Sequence, residues 1–204
     1  TRIIRFIAFL IAIFIPALYI ALTTHNQDIL PLSLFLNFAS QRESVPFSAL
    51  IEAIFMSISF EILRESDIRK PASMGSSVSI LGGLILGDAA VAAGIISPIM
   101  IIVISISAIS GLAFSSMEMI SALRWWRFIL LFLAMFFGLF GIFTGFIILL
   151  ASLVTTTSLN VPYLAPFSPF IKTELKDAII KSDNKKIRKR NPLLTKNIIR
   201  EIKK

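Results

Sequence analysis

Apolar residues run along this chain in long blocks, and the polar residues between them are few and clustered rather than alternating with period two. In hydrocarbon every backbone polar group must be satisfied within its own segment or in a closed barrel, and blocks without strand alternation therefore predict helices. Five are expected, at about 3–22, 47–65, 74–96, 98–114 and 128–152. The first follows Arg2 and Arg5, is longer than a signal-peptide core, has no Ala-x-Ala site behind it and contains Pro16, which membrane helices tolerate. Pro46 leads into the second, which Glu52 and Glu61 interrupt. In the third, twelve of the twenty-three positions 74–96 are Gly, Ala or Ser. From Ile80 to Phe114 a single helix would rise about 50 Å, against a hydrocarbon core of about 30 Å, so the chain must break at Ser97-Pro98. Arg124-Trp125-Trp126-Arg127 precedes the fifth helix and suits the headgroup level. Beyond it, Pro162, Pro166 and Pro169 exclude a regular helix, and 153–171 is expected to fold back as a proline-rich re-entrant or interfacial loop.

Composition agrees with the pattern. Hydrophobic residues make up 56% of the 204 and charged residues 16%, with a mean hydropathy of +0.85. The expected fold is an all-α integral membrane protein, residues 1–171 forming the membrane domain and 172–204 a basic C-terminal tail. Cysteine is absent, which excludes disulfides and thiolate metal sites. Residues 1–171 hold eight basic and eight acidic side chains, and residues 172–204 hold twelve and four, so the whole net charge of +8 lies in the tail. Such a tail is expected on the cytoplasmic side, where Lys185, Lys186, Arg188, Lys189 and Arg190 contact anionic lipid in preference to nucleic acid. Two basic ends on one side require an even number of crossings. Five helices break that parity, and the small-residue segment 74–96 is expected to be the one that does not cross.

Candidate chemistry is sparse. His25 is the only histidine and reads as a hydrated loop residue; Gly82-Gly83 and Gly87 lack the lysine of a phosphate loop; no catalytic set, metal site or cofactor is indicated. Glu52 and Glu61 stand nine positions apart, about 900° around a helix, so they point to opposite sides and each needs its own partner. Glu61 with Arg64 and Glu65 with Arg69 fall at i,i+3 and i,i+4, a charged network that either neutralises a helix end or serves gating or subunit contact. In the third helix Gly75, Ser79, Gly83, Gly87, Ala90 and Gly94 share a helix-packing face. Asp88 falls on a neighbouring face with Leu81, Leu84 and Ile85, and these four are pore-lining candidates, because a lone aspartate in such a helix needs a partner or water. Phe128, Phe132, Phe136, Phe140 and Phe143 form a lipid-facing or packing stripe, and Gly141 with Gly145 makes a GxxxG.

Several stretches in order resemble one family. They are Arg42-Glu43-Ser44-Val45-Pro46-Phe47, Phe60-Glu61-Ile62-Leu63-Arg64-Glu65 with Ile68-Arg69-Lys70-Pro71, and Leu86-Gly87-Asp88-Ala89-Ala90-Val91-Ala92-Ala93-Gly94-Ile95-Ile96-Ser97-Pro98. Arg124-Trp125-Trp126-Arg127-Phe128, Gly138-Leu139-Phe140-Gly141-Ile142 and Val161-Pro162-Tyr163-Leu164-Ala165-Pro166-Phe167-Ser168-Pro169 follow. Over about residues 40–192 the chain resembles the A subunit of spore germinant receptors of the GerA type; a paralogous spore-membrane subunit would share these stretches. The resemblance implies an inner spore membrane protein that works with a permease-like B subunit and a lipoprotein C subunit, its A subunits assembling as a homo-oligomeric ring proposed to conduct ions. It also implies a cytosolic domain ahead of the first membrane helix, absent from this chain. Asp88 stands where the family usually has a larger or amide side chain, and the first forty residues match only loosely. The leading expectation is a ligand-gated channel subunit releasing monovalent cations at germination. The alternatives are a non-conducting scaffold and a secondary transporter, the last weakened by the absence of internal repeats. No enzymatic activity is expected.

Overall fold

The structure, a computed structural model, describes residues 2–68, 75–114, 116–158, 161–165 and 167–168. The basic tail and Arg69 lie outside the described residues, as do the side chains of Ser79, Leu81 and Leu84. The described chain is mostly helical, with connecting turns and one two-residue ladder. Its helices are α1 (Arg2–Thr24), α2 (Leu32–Arg42), α3 (Ala49–Ile68), α4 (Gly75–Ala92), α5 (Pro98–Gly111) and α6 (Met117–Thr155), with a 3-10 turn at Gln27–Ile29. Two of them, Ile3–Thr24 and Glu118–Thr155, are long and apolar enough to cross a membrane. The chain divides into two compact units, residues 7–145 and residues 1–6 with 146–204.

In the larger unit α3, α4 and α5 pack together. Ala53, Met56, Met100 and Ile104 are fully buried between them and their neighbours. α4 ends in a left-handed glycine: Gly94 has φ +65°, and the N–H groups of Gly94 and Ile95 donate to Val91 O and Ala90 O. Ser97 then caps α5 with Pro98 at its first position. α5 turns back, so that a side chain at Gly87 would meet Ile101 at 3.7 Å. The expected break at Ser97-Pro98 is thus a turn over 93–97, and Gly94 belongs to that turn rather than to a packing face of α4.

Pro16 sits inside α1 and cannot donate to the carbonyl of Ala12 four residues earlier. The hydroxyl of Ser107 in α5 donates to that carbonyl instead, at 2.6 Å, and Ala12 and Ser107 are both fully buried. A freed backbone acceptor in an apolar helix is satisfied by a neighbouring serine, which is what makes proline tolerable there.

The largest departure from the sequence reading is α6. The helix begins at Met117 rather than near 128, and its 39 residues would rise about 58 Å if straight. They do not run straight. Gly138 has φ +59° and ψ −139°, non-helical values that side-chain-bearing residues rarely adopt, and the chain reverses there. A side chain at Gly141 would run into the carbonyl of Leu133, and one at Gly145 into Leu130 and Leu133. The GxxxG glycines therefore pack against the arm that precedes them in the same helix. A second difference is α2, an eleven-residue helix with no buried residue, which the polar pattern did not suggest.

In the smaller unit the chain leaves α6 at Thr155, and Thr157–Ser158 pairs antiparallel with Val161–Pro162. The Tyr163 N–H donates to Thr156 O at 2.9 Å. The segment read as a loop over 153–171 thus opens with the last turn of a helix and a tight hairpin.

Candidate functional site

The two carboxylates of α3 organise the polar interior of the larger unit. They lie about 13.5 Å apart along the helix axis and half a revolution apart around it. Glu52 is 1% exposed. Its Oε2 accepts two hydrogen bonds from one residue, from the Ser97 N–H at 2.8 Å and the Ser97 hydroxyl at 2.7 Å. Its Oε1 faces Arg42 Nε, at the end of α2, at 3.4 Å. One carboxylate therefore ties α3 to the α4–α5 turn and to α2. Ser97 directs both donors away from the helix it caps, which makes no side-chain cap bond.

Glu61 is met by three guanidinium groups. Arg64, one turn along α3, approaches Oε1 at 3.5 Å and donates from its other arm to Ala108 O at 3.2 Å, near the end of α5. Arg124 and Arg127, from α6, stand 2.9 Å from Oε2 and 4.0 Å from Oε1. Arg127 is 2% exposed. An arginine this deep in an apolar helix is sustained only by a partner of opposite charge.

A third polar cluster closes the reversal in α6. The amide oxygen of Asn26 accepts the Leu139 N–H at 3.0 Å, and His25 Nε2 donates to Met135 O at 2.5 Å. Helix ends leave N–H and C=O groups without partners, and two residues just beyond α1 satisfy one on each side of the hinge. His25, expected as a hydrated loop residue, is exposed and holds this post.

On α4, Gly83 faces Phe60 and Leu63 of α3, Gly87 faces Ile101 of α5, and Ala90 is buried. Gly75 opens the helix. Ile85 and Asp88 are exposed. Among the described residues no group of three or more His, Cys, Asp or Glu could hold a metal ion.

Residues 1–193 match the family described as Bacillus/Clostridium GerA spore germination protein. The chain belongs to that family. It is similar to the uncharacterized membrane protein YfkQ of Bacillus subtilis (strain 168), 43% identical over 181 residues, which cover 89% of this chain and 35% of that protein. It is also similar to spore germination protein KA of the same organism, 41% identical over 180 residues, 88% of this chain and 33% of that protein. Spore germination protein GerLA of Bacillus cereus is 36% identical over 180 residues, 88% of this chain and 37% of that protein. The chain spans about a third of the length of the curated relatives it matches. No solved structure matches it.

In this GerA-family chain the sequence reading paired charges along one helix and so missed the partners brought by folding. Arg42 and Ser97 at Glu52, and Arg124 and Arg127 at Glu61, come from other elements. One signal was available: Arg124 and Arg127 are one turn apart in an apolar helix, which places two cations on one face and demands an acid opposite. Glu65 is exposed and makes an interaction of its own.

Proposed function

We propose that this chain is part of the membrane domain of a GerA-type A subunit, multi-pass in the inner spore membrane, working with a permease-like B subunit and a lipoprotein C subunit in a nutrient-responsive germinant receptor. In this reading several copies form a ring, and α4 faces the axis through which monovalent cations leave the spore. The observation that carries it is the division of α4. Its glycines turn inward to α3 and α5, and Asp88 is left exposed with Ile85. An aspartate on an apolar helix, outside its own subunit's packing, needs water or another subunit. Apolar side chains preceding a ring of carboxylates combine a constriction that can dewet with a preference for cations.

The topology follows in the same reading. The reversal at Gly138 makes two membrane segments of α6, and α4 with α5 enters and returns as a pair. The number of crossings is then even whether that pair spans or only dips in, both ends lie on the cytoplasmic side, and 74–96 need not be an exception. Protease added outside right-side-out vesicles should leave residues 172–204 intact, and cleavage from outside would end this topology.

Cation and anion flux from liposomes carrying the purified subunit tests the pore. Leu84→Ala is expected to cause leak without nutrient, and Asp88→Asn to preserve assembly while lowering the preference for cations. Unchanged flux in both, at normal protein levels, would leave the scaffold reading.

A further inference from the structure

The cluster at Glu61 is unbalanced. One carboxylate faces three guanidinium groups. Arg64 is accounted for by Glu61 and the Ala108 carbonyl. Arg124 Nε and Arg127 Nε are buried without an acceptor, and Glu61 Oε2 accepts no hydrogen bond of sound geometry although Arg124 lies 2.9 Å away. Arg42 Nε and Glu52 Oε1 are also buried without a hydrogen bond, but there one cation faces one acid. What sets the Glu61 cluster apart is its charge excess together with two guanidinium Nε–H donors that lack an acceptor, one of them on a 2%-exposed arginine, and these mark a missing acceptor. The sign of the surplus says that it is an anion. Apart from Glu52, the other acids of α3 and α6 whose side chains the structure describes, Glu65 and Glu118, are both exposed.

The geometry points to a phosphate-binding site formed by Arg124 and Arg127, with Glu61 behind them as the fixed counter-charge that holds both guanidinium groups in place. A guanidinium presents its Nε–H and one Nη–H as a fork matched to two oxygens of a phosphate, and the unsatisfied Nε atoms are half of that fork on each residue. The site is reached from Arg124, whose side chain is 33% exposed, beside Trp125, which is 70% exposed. Exposed tryptophan next to arginine at the end of an apolar helix belongs at the headgroup level. The phosphate is therefore assigned to a membrane phospholipid, and free inorganic phosphate is the other source of the same chemistry. This site uses no residue of the basic tail and does not depend on whether the subunit conducts ions.

The test follows thermal unfolding of the full chain in neutral detergent, titrated separately with phosphatidylglycerol, phosphatidylcholine and inorganic phosphate. Wild type is expected to gain stability saturably with either lipid and not with inorganic phosphate. Arg124→Gln and Arg127→Gln should each weaken the apparent affinity about tenfold, or ~1.4 kcal/mol. A variant neutralised at Lys185, Lys186, Arg188, Lys189 and Arg190 should keep the arginine-dependent gain. If Arg127→Gln does not accumulate, Arg124→Gln decides alone, because that side chain already reaches solvent. A gain from inorganic phosphate that Arg124→Gln removes supports the site and reassigns its source to a soluble anion. No gain from any phosphate, or a gain that survives Arg124→Gln and disappears in the tail variant, overturns the proposal.

Discussion

The two ends of α3 carry the same residue in opposite states. At Glu52 one acid meets one cation and two donors from Ser97: Oε2 accepts both Ser97 hydrogen bonds, while Oε1 and Arg42 Nε face each other at 3.4 Å as an ion pair without a hydrogen bond. At Glu61 one acid meets three cations, and the Nε–H donors of two of them are left without an acceptor. The first arrangement closes a structure. The second is completed only by something added, so burial of a charge does not by itself separate a structural role from a binding role. The balance of charges and donors around it does.

The sharpest way to break this contrast is Glu61→Ala. Three cations would lose the one counter-charge they share among the described residues, and removal of one partner from a buried pair costs about 3–5 kcal/mol. Unfolding in detergent should show that loss, and a second change, Arg64→Ala or Arg124→Gln, should recover part of it. Strict additivity would show that the groups do not interact.

Glu52→Gln is the next largest. The amide oxygen can still accept from Ser97, but the ion pair with Arg42 is lost, at about 1–3 kcal/mol. Glu52→Ala should cost more, because the Ser97 N–H and hydroxyl would both lose their acceptor. Equal losses for the two variants would show that Ser97 contributes nothing.

A comparison of single cations reverses in sign. Arg42→Gln removes the one cation that the described residues place at Glu52 and should destabilise. Arg124→Gln removes a surplus one and, in neutral detergent without phospholipid, should be neutral or stabilising within about 1 kcal/mol. Melting temperatures of the two variants side by side decide this, and destabilisation of equal size would make the two ends alike.

The smallest expected effect is Gly111→Ala. The new Cβ would lie 3.2 Å from Arg64 Nη2, so the guanidinium must shift by a few tenths of an ångström away from Ala108. A loss near 0.5 kcal/mol is expected, within the range of ordinary substitutions. A much larger loss would mean that Arg64, rather than the α6 arginines, holds the cluster together.

The helices around Pro16, Glu52 and Pro98 were legible because apolar blocks and proline breaks are local signals. So was the need of Glu52 and Glu61 for separate partners, which follows from their angle around one helix. The partners themselves were not, because Arg42, Ser97, Arg124 and Arg127 reach α3 through folding and no spacing encodes that. Arg124 and Arg127 also misled directly. Two charges beside two tryptophans read as the start of a membrane helix, which moved the expected boundary from Met117 to about 128 and left a segment short enough to be one crossing. Had the helix been extended to 117, the length argument that broke 80–114 would have demanded a break here too, with Gly138 as the residue able to take it. α2 was missed because its eleven residues are interleaved with Ser33, Asn37 and Ser40, and its lack of burial leaves no apolar stripe to read.

The turn at Gly138 has a practical consequence for experiments on membrane orientation. Two arms joined through a single residue, with His25 and Asn26 seated against the joint, present no loop for a protease, a cysteine reagent or an inserted reporter. Under the topology proposed above, methods that count crossings from accessible loops would register residues 117–155 as one passage, place the following segment on the wrong face of the bilayer, and report an odd number of crossings. Distance measurement between spin labels near 130 and 145 sees what those methods cannot: a short separation for a reversed chain, and one of about 22 Å for a continuous rod.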